Sequence, residues 1–335
     1  MNIKESKTIL NKSFQKKSLM SERSLAKNCT FVCRGCGSSN FIVKYSFEKW
    51  KLNQCKSCKL MVTDPIPSID DINFVYDEHY YNNPKVISQV VGEFFGYSDY
   101  VGERINKQQA YNKICQKIQM YINKRTNPIK LLDFGCGLGH FLDSAYDFGY
   151  LVHGVEFNKY AINYIRNRYT YKITSYEDFI KMNEKFNIVT LFDVIEHLQD
   201  PFDTLNKLYN LIDTEGLLII STMDSHSYMS RFLGLKLEDF KRIREHIYFF
   251  SKKNLTDLLT RLGFEILEVS SQGHTFEMKH LCSRIKSSLP LVGNILTFVL
   301  NIFPFLGNLN VYVNPHTKMI IYARKIRSNP FNPSP

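Results

Sequence analysis

The chain has little that would anchor it in a membrane or export it. Across 335 residues no stretch reads cleanly as a transmembrane helix. The first 28 residues lack an apolar core segment and a small-residue cleavage site, which argues against a secretory leader. The expected location is therefore the cytoplasm, where thiols stay reduced unless a metal claims them. Acidic residues are scarce too: 32 against 43 basic ones, a formal net charge of +11. That excess favours polyanionic partners (nucleic acid, anionic headgroups, phosphate-bearing substrates) without choosing among them. Much of it sits in residues 1–28, where Lys4, Lys7, Lys12, Lys16, Lys17, Arg23 and Lys27 face only Glu5 and Glu22. This arm reads as disordered. No internal repeat appears.

What is present begins with cysteine. Cys33, Cys36, Cys55 and Cys58 form two CxxC pairs, CRGC and CKSC, eighteen residues apart. Each pair can place two thiolates on one turn, and two such turns complete a closed tetrahedral zinc site. Between them, FIVKYSFEKWKLNQ has the β-branched and aromatic content of a short hairpin. The pattern predicts a zinc ribbon over 29–64, with zinc structural rather than catalytic. The punctuation DPIPS at 64–68 closes it. A connecting region, 65–128, contains a helical period from Ile105 to Lys124.

The centre of the chain is KLLDFGCGLGH, from Lys130 to His140. Apolar Leu131, Leu132 and Phe134 suit a buried strand, and Gly135, Gly137 and Gly139 follow at alternate positions. A helical period then runs to Gly149. Strand, glycine turn and helix bring bare backbone N–H groups up to a polar ligand. Beyond the turn, strands and helices alternate. Leu151–Val155 leads to Glu156, Tyr171–Thr174 to Glu177 and Asp178, and Phe186–Val194 includes Asp193. Gly216–Met223, Phe264–Val269 and Met319–Arg324 complete the set. This predicts an α/β, Rossmann-like, doubly wound sheet of seven strands over 129–326, with an insert at 272–317 and a tail at 327–335. The acidic residues fall at strand carboxyl ends, where such sheets bind ligands.

The run from Leu131 to Gly263 resembles class I S-adenosylmethionine-dependent methyltransferases. LDFGCGLG matches the family's glycine motif, VEFN its acidic second-strand end, and FDVIEHLQDP its motif after strand four. GLLIISTM followed by EHIYFFSKKNL resembles the strand-five region and following loop of glycan and small-molecule methyltransferases. A four-cysteine ribbon ahead of this domain is similar to deoxysugar C-methyltransferases of polysaccharide gene clusters. However, Ile243 stands where those enzymes commonly have tyrosine. The resemblance implies S-adenosylmethionine as cofactor, with contacts at Asp133, Gly135, Cys136, Gly137, Gly139, Glu156, Phe157, Asp178 and Phe192. Glu156 is also placed to accept ribose hydroxyls.

Two histidines follow glutamates: His197 after Glu196, and His246 after Glu245. His246 is the first candidate for a general base, with Glu245 beside it to raise its basicity. His197 reads as a cap or a second candidate. The implied function is methyl transfer to a sugar nucleotide or lipid-linked glycan intermediate of surface polysaccharide. Three alternatives stand: an RNA methyltransferase, a quinone or small-molecule O-methyltransferase, and a non-catalytic zinc-dependent binding module. Nucleic acid is not expected as a partner, because strand four ends in FDVIEH rather than the Asn/Asp-Pro-Pro-aromatic motif of nucleobase-methylating enzymes. Finally, Ser287–Thr317 has no Lys, Arg, Asp or Glu. Its core, 289–306, either covers the pocket or makes a peripheral contact with the inner face of the membrane.

Overall fold

The computed structural model describes residues 32–47, 49–75, 80–81, 103–122 and 128–326. The expected arm at 1–28 and tail at 327–335 lie outside these residues, as do parts of the connecting region. Three short strands come first: β1 (Phe41–Ser46), β2 (Lys51–Cys55) and β3 (Met61–Asp64). Helices α1 (Ile69–Val75) and α2 (Glu103–Tyr121) follow. Then β4 (Lys130–Phe134), α3 (His140–Asp147), β5 (Leu151–Glu156), α4 (Lys159–Arg168), β6 (Lys172–Ser175) and β7 (Phe186–Phe192) alternate. Next come α5 (Pro201–Leu211), β8 (Ile212–Met223) and α6 (Tyr228–Leu233). They are followed by β9 (Tyr248–Phe249), α7 (Lys252–Arg261) and β10 (Phe264–Ser271). The insert contributes β11 (His274–Glu277), α8 (Met278–Ser288), α9 (Pro290–Ile302) and β12 (Asn310–Val313), and β13 (Lys318–Lys325) ends the fold.

The main sheet has the order β10-β13-β8-β7-β4-β5-β6. Only β13 runs against its neighbours β8 and β10. The middle stretches of the central strands are mainly apolar because both faces are covered: Ile188, Val189, Leu191 and Leu217–Ile220 are all buried. One face packs against Leu205 and Leu208 of α5 and Leu255 and Leu259 of α7. The other meets Ile114 and Ile118 of α2, Phe141 of α3 and Ile165 of α4. Caps set two helix starts. Asn158 Oδ1 accepts from Ala161 N–H at 3.2 Å, and Ser251 with Asn254 forms a capping box. Such a cap is worth about 1 kcal/mol. Strand four stops at Phe192, two residues earlier than the apolar pattern predicts, because Asp193 turns the chain with φ of +56°.

A second sheet has the order β1-β2-β3-β9. The hairpin expected between the two CxxC pairs is there, as antiparallel β1 and β2. Its fourth strand comes from far along the chain: Met61 pairs with Phe249, and Val62 with Tyr248. Thr63 extends the join, its N–H donating to Ile247 O at 2.8 Å and its hydroxyl to His246 O at 2.9 Å. The cysteine-bearing segment therefore packs into the larger core, where Cys33, Cys55, Leu60 and Val62 join the α5 and α7 face.

Candidate active site

The site is built where β4 and β7 end side by side. All three glycines of the β4 turn have positive φ: +78° at Gly135, +55° at Gly137 and +84° at Gly139. Side chains rarely adopt that backbone conformation. At Gly135 a Cβ would also strike Val194, so the β4 turn and the β7 turn abut. The Gly137 N–H donates to Glu156 Oε2 at 2.7 Å, while Glu156 Oε1 accepts from Phe157 and Asn158 N–H, each at 2.8 Å. Glu156 thus ties the glycine turn to the start of α4. Burial raises its pKa, and those three backbone bonds oppose the rise. Asp133 is buried behind the turn, accepting from Thr190 Oγ1 at 2.7 Å.

Of the residues that the resemblance assigns to the cofactor, Asp133, Gly135, Cys136, Gly137, Gly139, Glu156 and Phe157 lie on or beside this turn. Cys136 is buried and Phe157 partly exposed. Phe192 lies one strand over, edge-on to Phe141 at 4.7 Å between ring centroids and 5.9 Å from Tyr111. Asp178 stands apart on the exposed turn after β6, where it accepts from Ser175 Oγ at 2.9 Å. The turn fits an adenosine-bearing cofactor: its backbone is bare, and one carboxylate sits at the second strand's tip.

The histidines come together from two loops. His197 ends a short 3-10 helix, Ile195–His197, after β7. Its ring lies edge-on to that of His246, with 4.7 Å between centroids. His197 Nδ1 is 2.9 Å from Glu245 O. Because a carbonyl only accepts, Nδ1 carries the proton. Burial pushes the His197 pKa down to about 4, and Arg242 adds to the drop. His246 is lowered well below the ordinary histidine value, by burial first and then by His197 and Arg242. Both rings are neutral at physiological pH. His246 Nδ1 is buried with no hydrogen-bond partner among the described residues. Glu196 is buried beside them, its carboxyl pushed up to about 8 by burial and by the charge of Asp193. Donor atoms of Glu196, His197 and His246 lie within 4.8 Å of one another, a set that could also receive a divalent cation.

Glu245 does not serve His246 as the sequence reading expects. Its carboxylate pairs with Arg242 Nη1 at 3.1 Å and accepts from Tyr80 at 3.3 Å, and the His246 pKa falls instead of rising. Three further participants escaped that reading: Arg242, Tyr80, and the ion pair from Lys318 at the start of β13 to Asp193.

The four cysteines also converge. Cys33 and Cys58 sulfurs are 3.5 Å apart, and those of Cys36 and Cys55 are 3.6 Å apart. All four fall within 4.8 Å of one another. Zinc–thiolate bonds of ~2.3 Å give tetrahedral edges of about 3.8 Å, so the cluster fits a single ion.

Residues 106–269 match a family described as a methyltransferase domain. With this sheet order and glycine turn, they form a class I S-adenosylmethionine-dependent methyltransferase domain. Among curated proteins, the ubiquinone biosynthesis O-methyltransferase of Glaesserella parasuis is 33% identical over 131 residues, covering 34% of this chain and 56% of that protein. Its counterpart from Actinobacillus pleuropneumoniae is 27% identical over 131 residues, with the same coverage of 34% and 56%. The chain thus spans little more than half the length of these relatives. Among solved structures, a SAM-dependent methyltransferase from Archaeoglobus fulgidus is 20% identical at a TM-score of 0.45, covering 68% of this chain and 100% of that one. The plantazolicin methyltransferase BpumL in complex with SAH is 15% identical at a TM-score of 0.44, covering 67% and 86%.

Proposed function

We propose that the protein is an S-adenosylmethionine-dependent O-methyltransferase acting on a hydroxyl of a small molecule. The observation that carries this reading is a neutral histidine pair: half-buried His197, on the β7 turn that abuts the glycine turn, and buried His246, brought against it from the loop before β9. The bound cofactor supplies an electrophilic methyl group on sulfur. Glu156 and the glycine turn hold its adenosine end, with Phe192 as a flat apolar wall. His246 Nδ1, lacking a partner, takes the proton that the acceptor hydroxyl must lose. His197, fixed by its bond to Glu245 O, holds the His246 ring in place. The names of the curated relatives support a small-molecule acceptor over the sugar nucleotide or glycan expected from the sequence. The cysteine cluster, similar to the ribbon of deoxysugar methyltransferases, keeps the sugar acceptor as the second reading.

Zinc belongs to this proposal at Cys33, Cys36, Cys55 and Cys58, held as a structural ion with no open position. Purified protein supplied with methyl-labelled cofactor should transfer label to a panel of phenolic or quinol acceptors and not to sugar nucleotides. The reverse pattern would restore the glycan reading. His246→Ala should lower turnover by ~10²–10⁴-fold. Calorimetry should find its S-adenosylhomocysteine affinity within a few-fold of wild type, roughly 1 kcal/mol. Turnover near wild type in that variant would dismiss His246 as the base.

A further inference from the structure

We propose that the α8–α9 hairpin is a peripheral anchor that seats the protein on an anionic lipid bilayer. Helix α9 turns its apolar stripe outward. Leu291, Val292, Ile295, Phe298, Val299 and Ile302 share one helical face, and all six are exposed, Leu291 to 82%. The side turned to the protein is held close instead by a small residue. Gly293 is buried so tightly that a Cβ there would strike the Lys286 backbone of α8. Thr297 satisfies its hydroxyl locally, donating to Gly293 O at 2.7 Å. Phe303 and Phe305, both exposed, extend the apolar surface past the end of α9. A water-facing stripe of this size on an ordered helix calls for a cover.

Charge selects the cover. Glu277–Thr317 contains three basic residues, Lys279, Arg284 and Lys286, against the single acid Glu277. That acid pairs with Lys279 at 2.7 Å. A second copy docking here would bring like charges together, whereas an anionic bilayer complements the basic excess with its headgroups and the apolar stripe with its acyl chains. Length then sets the mode of contact. Thirteen residues make a helix ~20 Å long, short of the ~30 Å hydrocarbon core. No helix among the described residues is long and apolar enough to cross a membrane. The hairpin therefore lies along the surface.

The anchor is rooted beside the site. The hairpin leaves the main sheet after Ser271, which pairs with Met319, and returns at Lys318, which pairs with Met223 at the end of β8. That is the sheet edge bearing the glycine turn and the histidine pair. Anchoring is independent of the acceptor's identity, so it can fail while methyl transfer stands.

The test uses the full chain and vesicle flotation. Vesicles of phosphatidylcholine mixed with phosphatidylglycerol should carry the protein up the gradient, and added salt should weaken that binding. Phosphatidylcholine vesicles should carry far less. The double variant Ile295→Glu/Phe298→Glu should lose at least about tenfold in vesicle affinity. Both side chains already face water, so melting temperature and S-adenosylhomocysteine affinity should stay at wild-type values. Lys286→Glu should weaken binding to the anionic vesicles only. Wild type that stays at the bottom with both vesicles would overturn the proposal, as would a double variant that floats like wild type. A third overturning result is a solution dimer that the double variant converts to monomer without changing flotation.

Discussion

Asp133 carries a charge that its surroundings decide. Burial pushes its pKa up to about 7, Glu156 adds to the rise, and the Thr190 hydrogen bond opposes it. In the unfolded chain the same carboxyl titrates near ~3.9. Between those values the folded protein holds a proton that the unfolded chain has released. Stability should therefore fall as pH rises across that window, by up to about 1.4 kcal/mol per unit. Asp133→Asn removes this titration, so its melting temperature should vary less than wild type from mildly acid to neutral pH. Equal slopes for the two proteins would show that Asp133 is ionised throughout. At this scale the glycine-turn cluster was legible in sequence, because Asp133, the glycines and Glu156 sit within one local unit of strand, turn, helix and strand. The partners around the two histidines were not. Tyr80 reaches Glu245 across 165 positions and Lys318 reaches Asp193 across 125, and no local period marks such pairs.

Among the elements, the β3–β9 pairing connects the cysteine cluster to the proposed base. Two more contacts clamp the cysteine turns to the main domain: Arg34 pairs with Asp200 at the α5 cap, and Arg261 of α7 donates to Gly35 O. Zinc bound to the four sulfurs would hold β2 and β3, and through Thr63 would hold the His246 backbone in register. Cys36→Ser or removal of zinc by a chelator should therefore raise amide hydrogen exchange at Thr63, whose N–H bonds Ile247 O, and across β9. Exchange in β4 and β7 should change far less. Uniform loosening of the whole chain, or none, would refute this coupling. The CxxC pairs announced the cluster, since their spacing is itself the chemistry. Their strand partner was hidden: Tyr248 and Phe249 form a two-residue strand, too short to show alternation.

For the whole molecule, a doubly wound sheet of seven strands followed from apolar runs and acidic strand ends, and the main sheet has seven strands; their order was not legible. Legibility stopped where elements pack by shape instead of period. The stretch 287–317 was readable as uncharged, but α9's outward stripe depends on Gly293 seating against Lys286, which composition does not reveal. The methyltransferase unit also has no clean boundary at residue 129. A chain shortened to begin at Glu103 would leave β9 without β3 and expose Tyr248, Phe249 and Phe250, all buried in the full protein. It should bind S-adenosylhomocysteine through an intact glycine turn, yet melt lower and aggregate sooner. A shortened chain as stable as the full one would show that the second sheet adds nothing to the first.

That shared sheet also imposes a timetable on synthesis. Thr63 and His246 are 183 residues apart, so the cysteine segment leaves the ribosome long before its last strand exists. At roughly 5–20 residues per second the gap is about 10–40 s. Throughout it β3 offers an open edge, and the four thiols have no neighbouring domain to shelter them. An early-bound metal ion would keep the small sheet folded while the rest of the chain is made.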